Sequence, residues 1–346
     1  MFFIPASRKT REYVEKELPY KLLMCIYENS RASLKELGRK AGITYHVVAS
    51  TLEKLEKEYN IKYTLHLDEE KMGFSGSRII TIKFGNPPNI DYLKALLQKD
   101  SFVQNAYLAT GDVDLLLHVV GLNEQDYGVW QYKLRMDMAD YKPAMSSAVV
   151  YSNLVGFFPL RNELVEKCDV LSDVEKRVLK LLNENSRMRL SEIIKKAKVS
   201  QMRVIYSIKK MKEMGIIKRF TALSQNPQKR LIVMYAHSQT FNDKHIATRR
   251  RYWEEMMTED FHEGVNEYVF AADVVGSYDG VYICVFENGE TMLKNGSERI
   301  RRLSEFGEPI IRSAMLTDLL TGKWPFHLEE YPLIKDLLAK AHPREE

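Results

Sequence analysis

Apolar residues at helical spacing predict a group of three short helices near the middle of the chain. They recur every three or four positions over 174–182, and Ser172 with Glu175 predicts a capping box at the start of that helix. Ser191 and Ser200 are the predicted N-caps of the second and third helices. Residues 216–223 then alternate well enough to predict a wing strand. Together these elements have the pattern of a winged helix-turn-helix.

The same pattern occurs earlier in the chain at a fixed offset. Glu-Asn-Ser-Arg at 28–31 recurs at 184–187, which is 184 − 28 = 156 positions later, and matches continue in this register to Ile61 and Ile217. In the first copy, Ser33 and Thr44 are the predicted caps of the second and third helices. A fixed register over this span indicates a tandem duplication.

A second kind of unit follows each helix-turn-helix. The order strand, helix, strand, strand, helix, strand is predicted over 78–155 and again over 231–319. Gly-Asp-Val-Asp at 111–114 resembles Gly-Ser-Tyr-Asp at 276–279, and this order is that of a ferredoxin-like βαββαβ unit. The fold class is therefore α+β, with two winged helix-turn-helix domains alternating with two ferredoxin-like βαββαβ domains. Such a sheet leaves one apolar face open, so we expect the two α/β units to pair within the chain as a pseudo-dimer.

These patterns divide the chain into seven segments. We expect an N-terminal arm (1–15), a first winged helix-turn-helix (16–76), a first βαββαβ domain (77–155), a linker (156–170), a second winged helix-turn-helix (171–226), a second βαββαβ domain (227–322), and a C-terminal helix and tail (323–346, with the helix over 328–341).

Composition and charge narrow the class of protein. A hydrophobic fraction of 45% and a charged fraction of 28% are typical of a soluble globular protein. No run of about 20 apolar residues and no secretory signal is found, so we expect no membrane contact. The three cysteines are far apart and odd in number, which indicates free thiols in a cytoplasmic protein.

Positive charge is concentrated in the two helix-turn-helix segments. Residues 16–62 carry nine Lys/Arg against six Asp/Glu, and residues 172–219 carry fourteen against five, which gives +3 and +9. Since the whole chain carries +4, the rest carries 4 − 3 − 9 = −8. A solvated helix face also accounts for lysines and arginines, but their segregation favours a polyanionic partner, namely double-stranded DNA.

The third helix of each copy supplies the candidate DNA contacts, because Gln and Arg reach base edges and Lys neutralises phosphate. The candidates in the second copy, including two on its wing, are Gln201, Met202, Arg203, Tyr206, Lys209, Lys210, Lys218 and Arg219. The first copy offers Tyr45 and His46, but Glu53 on the same face would repel phosphate. This copy is either a weaker reading head or a degenerate one kept for packing.

A winged helix-turn-helix followed by βαββαβ, with a Gly-x-x-Asp turn between the middle strands, resembles the Lrp/AsnC (feast/famine) family of transcription regulators. The resemblance implies sequence-specific DNA binding and a small effector, often an amino acid, bound at the subunit interface near this turn. Carried over to this chain, the effector-binding residues are Gly111, Asp112, Asp114, Gly276, Tyr278 and Asp279. Alternatively, the glycines and acids of these turns serve the backbone alone.

The chain also departs from the family. Thr51 and Ser207 stand where the family commonly carries an exposed Arg on the third helix. Family members usually have one copy of each unit and dimerise, whereas this chain contains both copies. We therefore expect a homo-oligomer built on the pseudo-dimer within one chain.

Two other classes of function compete with regulation. The Lrp/AsnC-like fold also occurs in siroheme decarboxylases, which place His and Arg near a tetrapyrrole; His118 and His237 lie on predicted strands, with Arg135 and Arg312 in the same units. A lone strand histidine is more often a core residue, and no Gly-rich phosphate loop, Ser/His/Asp grouping or metal-ligand spacing is present. We expect no enzyme, catalytic residue, metal or cofactor. The third class is an assembly factor whose helix-turn-helix units bind another protein.

Overall fold

The structure is a computed structural model that describes residues 18–225, 231–241, 268–304 and 307–327. In the described part of the first half, five α-helices and five strands follow the order α1 (Leu18–Glu28), α2 (Leu34–Ala41), α3 (Tyr45–Glu58), β1 (Ile61–Leu67), β2 (Ser77–Phe84), α4 (Ile90–Lys99), β3 (Val103–Gly111), β4 (Leu115–Val120), α5 (Glu124–Asp137) and β5 (Pro143–Val155), with one 3-10 turn over Ala139–Tyr141. The predicted order of the first pair of units is confirmed.

After a short connecting helix, the described elements of the second half follow the same order, and the place of a counterpart to α4 lies outside the described residues. Its elements are α6 (Asn162–Glu166), α7 (Asp173–Glu184), α8 (Leu190–Ala197), α9 (Gln201–Glu213), β6 (Ile217–Ser224), β7 (Leu231–Phe241), β8 (Tyr268–Gly276), β9 (Gly280–Phe286), α10 (Gly289–Ser304), β10 (Gly307–Thr321) and β11 (Phe326–His327). The arm over 1–15, the helix expected around 247–257 and the C-terminal helix over 328–341 lie outside the described residues.

Side-chain caps fix where most of these helices begin. Ser172 and Glu175 form the predicted capping box of α7, and the Ser33 and Ser200 side chains accept from backbone amides in α2 and α9. The prediction for Ser191 is wrong: α8 begins at Leu190, so Ser191 lies inside its first turn and Arg189 is the N-cap. Thr44 is the N-cap of α3 by backbone conformation alone, without a side-chain hydrogen bond.

The strands that follow the two helix-turn-helix units pair with each other. β1 and β6 are antiparallel, with Thr64 opposite Thr221 and Leu65 opposite Phe220, and β11 adds a third strand beside β6. The predicted wing strand over 216–223 is confirmed as β6, and its hydrogen-bond partner is β1 of the other copy. The two helix-turn-helix units are thus joined by one shared sheet.

The two α/β units also pair, and they close a barrel. The strand order is β10-β3-β4-β2-β5-β8-β9-β7, and the joins between units are β5–β8 and β10–β3. The inner faces of both units share one core, which includes Ile79, Leu116 and Phe270. The structure therefore has the intrachain pairing expected of a pseudo-dimer, formed at strand edges.

Two glycines allow the units to approach at these joins. Gly111 and Gly276 have φ of +136° and +137°, and a Cβ there would lie 2.7 Å from the Ser313 carbonyl oxygen and 2.6 Å from that of Ser147. Both the backbone conformation and the close approach require glycine. The same device at both joins reflects the pseudo-twofold symmetry of the barrel.

The segment expected to be a plain linker, 156–170, is packed into the protein. It contains α6, and its Leu160, Leu164 and Val165 are buried with the core of the second helix-turn-helix. The Phe158 ring lies 4.5 Å from the His118 ring and 4.3 Å from the Phe270 ring, measured between centroids. The segment therefore packs the two helix-turn-helix units (18–67 and 173–224), called the two heads below, against the barrel. Within the described residues, no helix is long and apolar enough to cross a membrane.

Candidate nucleic-acid interface

The α9 helix presents most of the predicted DNA contacts to solvent. Its buried side consists of Val204, Ser207 and Met211. The exposed side chains are those of Gln201, Met202, Arg203, Tyr206 and Lys209, with Met202 76% exposed and Tyr206 64% exposed. Because Ser207 is buried, the position that commonly holds an Arg in the family cannot offer an outward contact in this copy.

Lys210 is engaged within the protein. Its Nζ lies 2.8 Å from Oε1 of Glu175, whose side chain is only 5% exposed. Burial opposes ionisation of this carboxyl group, but hydrogen bonds from Lys210 and Ser172 outweigh it and lower the pKa of Glu175. Lys210 therefore neutralises the buried charge of Glu175 in α7. This ion pair accounts for a lysine at position 210 better than a phosphate contact does.

The two candidates on β6 also have partners. Lys218 Nζ lies 3.1 Å from Asp68 Oδ2, across the shared sheet. The Arg219 guanidinium stacks 3.9 Å from the centre of the Tyr27 ring and donates to the Tyr27 hydroxyl at 2.6 Å. Arg219 is thus a contact between the two helix-turn-helix units, which corrects its prediction as a residue of an exposed wing.

The equivalent helix of the first copy, α3, has a different exposed surface. Tyr45 is 52% exposed, and its ring contacts that of the exposed His46 in a tilted arrangement with centroids 3.8 Å apart. Glu53, the residue expected to repel phosphate, forms a 2.8 Å ion pair with Lys57. At the offset of 156 residues, Val47 occupies the place of Arg203, and Glu53 that of Lys209. The two heads therefore have the same backbone and opposite charge at one key position.

A polar cluster that the sequence did not predict joins the two helix-turn-helix units. The hydroxyls of Ser30 and Ser186, which are equivalent residues of the repeat, lie 2.5 Å apart in a buried contact. Arg31 donates to the carbonyl oxygens of Ser186 and Met188 at 2.6 and 3.2 Å. The exact repetition of Glu-Asn-Ser-Arg was the signal, since these residues lie where the copies meet.

The predicted effector residues lie at the joins of the barrel. The Asp112 amide donates to the Ser313 carbonyl at 2.9 Å, and Asp112 Oδ2 accepts from the Ser313 amide at 2.8 Å. At the other join, Ser277 makes the same two contacts with Ser147, at 2.9 and 3.1 Å. In the structure the first two residues of each turn therefore hold one α/β unit against the other. This agrees with the alternative that these turn residues serve the backbone.

The third and fourth turn positions differ between the copies. Asp114 accepts from Lys83 Nζ at 2.7 Å and from the Phe84 amide at 2.8 Å, so it ties the turn to β2. Tyr278 is buried, and its hydroxyl lies 2.6 Å from Thr81 Oγ1 in the other unit. The backbone of Asp279 accepts from the Val274 amide and donates to the His237 carbonyl of β7, as the backbone of Asp114 does with Ala109 and Ile82.

The histidines of the competing enzyme reading are inside the barrel units. His118 is buried, with Nε2 2.7 Å from the Ser77 hydroxyl and Nδ1 3.3 Å from Asn105 Nδ2. Burial lowers the pKa of His118 to about 3. His237 is also buried and stacks on Tyr282, whereas Arg135 and Arg312 are exposed. Among the described residues, no group of three His, Cys, Asp or Glu could hold a metal ion.

Solved structures match nearly the whole chain in fold. The siroheme decarboxylase NirDL superposes with a TM-score of 0.59 at 15% identity, covering 93% of this chain and 99% of that one. Its complex with an iron-uroporphyrin III analogue gives the same TM-score at 16% identity. At such identity the likeness is one of fold, and it supports the two-copy architecture of the chain.

Sequence relatives match shorter parts of the chain. Residues 171–218 match the family model of winged helix-turn-helix DNA-binding domains. LrpA of Bacillus subtilis, an HTH-type transcriptional regulator, is 31% identical over 102 residues, which is 29% of this chain and 75% of LrpA. An HTH-type transcriptional regulator of Pyrococcus furiosus is 30% identical over 102 residues, or 68% of its own length. With these relatives, the chain belongs to the Lrp/AsnC family of helix-turn-helix transcription regulators.

Proposed function

We propose that the protein regulates transcription by binding duplex DNA mainly through α9. The observation that carries this proposal is Arg203, which is exposed in the first turn of the helix. Lys209, Lys210 and Lys218 each lie within 4.0 Å of a carboxylate, but among the described residues Arg203 has no such partner. An unengaged guanidinium at the start of a recognition helix can form a bidentate contact to guanine.

We further propose that the target is asymmetric. The two heads are related by the pseudo-twofold symmetry of the shared sheet, and operator symmetry follows protein symmetry. Since α3 carries Val47 and Glu53 where α9 carries Arg203 and Lys209, the two half-sites meet different chemistry. The α9 half-site supplies most of the affinity, and α3 contributes through Tyr45 and His46.

The test compares two arginines on a selected duplex and on random DNA. Arg203→Ala should weaken binding to the selected duplex by roughly 1–3 kcal/mol and change binding to random DNA much less. Arg301→Ala, at an exposed arginine of α10 in the α/β unit, is the matched control and should bind as the wild type does. An equal loss on both DNAs would make Arg203 a phosphate contact, and no loss would remove α9 from the interface.

A small effector, for which an amino acid is the candidate class, is proposed to act at the barrel joins. The turn residues Gly111, Asp112, Asp114, Gly276, Tyr278 and Asp279 make up this candidate site. Asp112 and Ser277 each bond to the backbone of the other unit, so a zwitterion competing for these bonds would shift one unit against the other. A thermal-shift screen of amino acids, repeated with Asp112→Ala, tests this. An unchanged response in the variant would place the effector elsewhere.

We propose a regulatory protein of the cytoplasm without catalytic activity. His118 has a partner at each ring nitrogen, and the Phe158 ring packs against it, which favours a structural role. Cys25, Cys168 and Cys284, all within the described residues, form no disulfide, which supports a reducing compartment. Titration with siroheme tests the competing enzyme reading: a bound absorption spectrum that is lost in His118→Gln would favour the enzyme.

A further inference from the structure

One exposed helix face of the first α/β unit is apolar. Val129, Tyr132 and Met136 on α5 are 69%, 69% and 59% exposed. Their spacing places them on one side of the helix, together with Gly128, opposite the buried Tyr127, Trp130 and Leu134. A contiguous exposed stripe of large apolar side chains marks an interaction surface more often than isolated ones do.

The second copy supplies an internal comparison. α10 is equivalent to α5 at an offset of 165 residues, and the Asn123 side chain that caps α5 has its counterpart in Asn288, which accepts from the Thr291 amide. At this offset the positions of Val129, Tyr132 and Met136 are occupied by Lys294, Ser297 and Arg301. At these three positions the same fold thus carries polar or charged residues in one copy and apolar residues in the other, so the three apolar side chains are not a requirement of the barrel.

The charges beside the stripe fit a second α5 that runs in the opposite direction. On a helical projection, Glu124 and Arg135 lie on one flank of the stripe, and Asp126 and Lys133 lie on the other. On each flank an acid lies towards the N-terminal end of α5 and a base lies further towards the C-terminal end. Glu124 also pairs with Arg78 but is 82% exposed, and the half-buried Asp137 follows Lys133 on the second flank. In an antiparallel pair, each acid faces the base on the same flank of the other copy. Both pairings have their midpoint between residues 129 and 130, so they require a single register.

The apolar residues fit this register as well. Tyr132 of one copy would lie opposite Gly128 of the other, where a Cβ would meet nothing within 4 Å. Val129 would lie next to the two-fold axis. From this geometry we infer that α5 is an interface between two copies of the chain, packed antiparallel about a two-fold axis. The resulting dimer carries four helix-turn-helix heads.

The first test measures mass against concentration with and without the stripe. One helix per copy makes a small interface, so we expect the wild type to dimerise with a dissociation constant of about 1–100 µM in sedimentation experiments. A triple variant, Val129→Lys with Tyr132→Ser and Met136→Arg, installs the residues of α10 and should weaken association at least about tenfold. Because α10 already carries these residues at the same places, the variant should keep its fold. A wild type that remains monomeric over this concentration range, or a triple variant that dimerises as well as the wild type, overturns the proposal.

The second test reads the register. Val129→Cys should form a disulfide between chains on mild oxidation, since the two sulfurs would meet near the axis. Lys294→Cys, at the equivalent exposed place on α10, should not, and the wild type with its three native cysteines gives the background. Equal cross-linking of both variants, or none at residue 129, overturns the antiparallel α5 interface.

Discussion

Acid should weaken this protein through one buried histidine. His118 lies in the first α/β unit, 4% exposed, between Ser77 and Asn105. Burial lowers its pKa to about 3, against about 6.5 for an unfolded histidine. The neutral ring is therefore the form that the fold accepts, and the stability that it contributes is present above pH 6.5 and lost as the pH falls towards 3.

The magnitude follows from the two pKa values. Between pH 7 and pH 5, the unfolded chain takes up a proton at this site and the folded chain does not. Linkage then gives a loss of about 2 kcal/mol in the free energy of unfolding from His118 alone. Carboxylates such as Glu175, whose pKa is lowered in the fold, add their own losses at lower pH.

Urea unfolding at the two pH values measures this loss. His118→Gln keeps a group that can bond to Ser77 but cannot take up the proton, so it should lose about 2 kcal/mol less than the wild type between pH 7 and pH 5. His46→Gln, at an exposed site on α3, controls for the removal of a histidine and should behave as the wild type does. If His118→Gln and the wild type lose stability equally, the buried neutral histidine is refuted.

Three further predictions concern contacts seen in the fold. Lys210→Ala should lower the free energy of unfolding, because Glu175 keeps a buried charge without its ion pair, while Lys209→Ala should leave stability unchanged and reduce the slope of log K against log[salt] by about 1. Gly111→Ala should lower the unfolding midpoint in urea, since its Cβ would meet the Ser313 carbonyl, whereas Gly289→Ala, where a Cβ meets nothing within 4 Å, should not. Phe158→Ala should destabilise the fold by about 3–5 kcal/mol by calorimetry, because its ring fills space beside His118; a change below about 1 kcal/mol would mean that the connecting segment does not brace the barrel.

The fold was largely predictable because its signals are local or repeated. The capping box at Ser172 and Glu175 and the caps at Ser33 and Ser200 depend on residues three apart, and the structure has all of them. The duplication was visible because Glu-Asn-Ser-Arg recurs in register. The pairing of the α/β units follows from the apolar face that one unit alone cannot bury.

The partners of individual charged residues were not predictable. In the sequence, Lys210 lies on the polar face of a predicted helix and Arg219 lies in a predicted wing strand, and both positions indicate DNA contacts. Their partners, Glu175 and Tyr27, are 35 and 192 residues away in sequence. The pairing of β1 with β6 was also not predictable, because alternating apolar residues indicate a strand but not the strand with which it pairs. The prediction of Ser191 as an N-cap was wrong because, in a sequence, a serine in the first turn of a helix resembles a serine at the N-cap.

Binding of the full chain to its own genomic sites tests the central claim most directly. A fragment recovered by genome-wide occupancy would be titrated at several salt concentrations, beside a random duplex of equal length. We expect a dissociation constant for the fragment at least about 10³-fold below that for random DNA, and log K that falls linearly with log[salt]. Equal affinity for both duplexes, or binding that does not respond to salt, would contradict a sequence-specific regulator that reads DNA through α9.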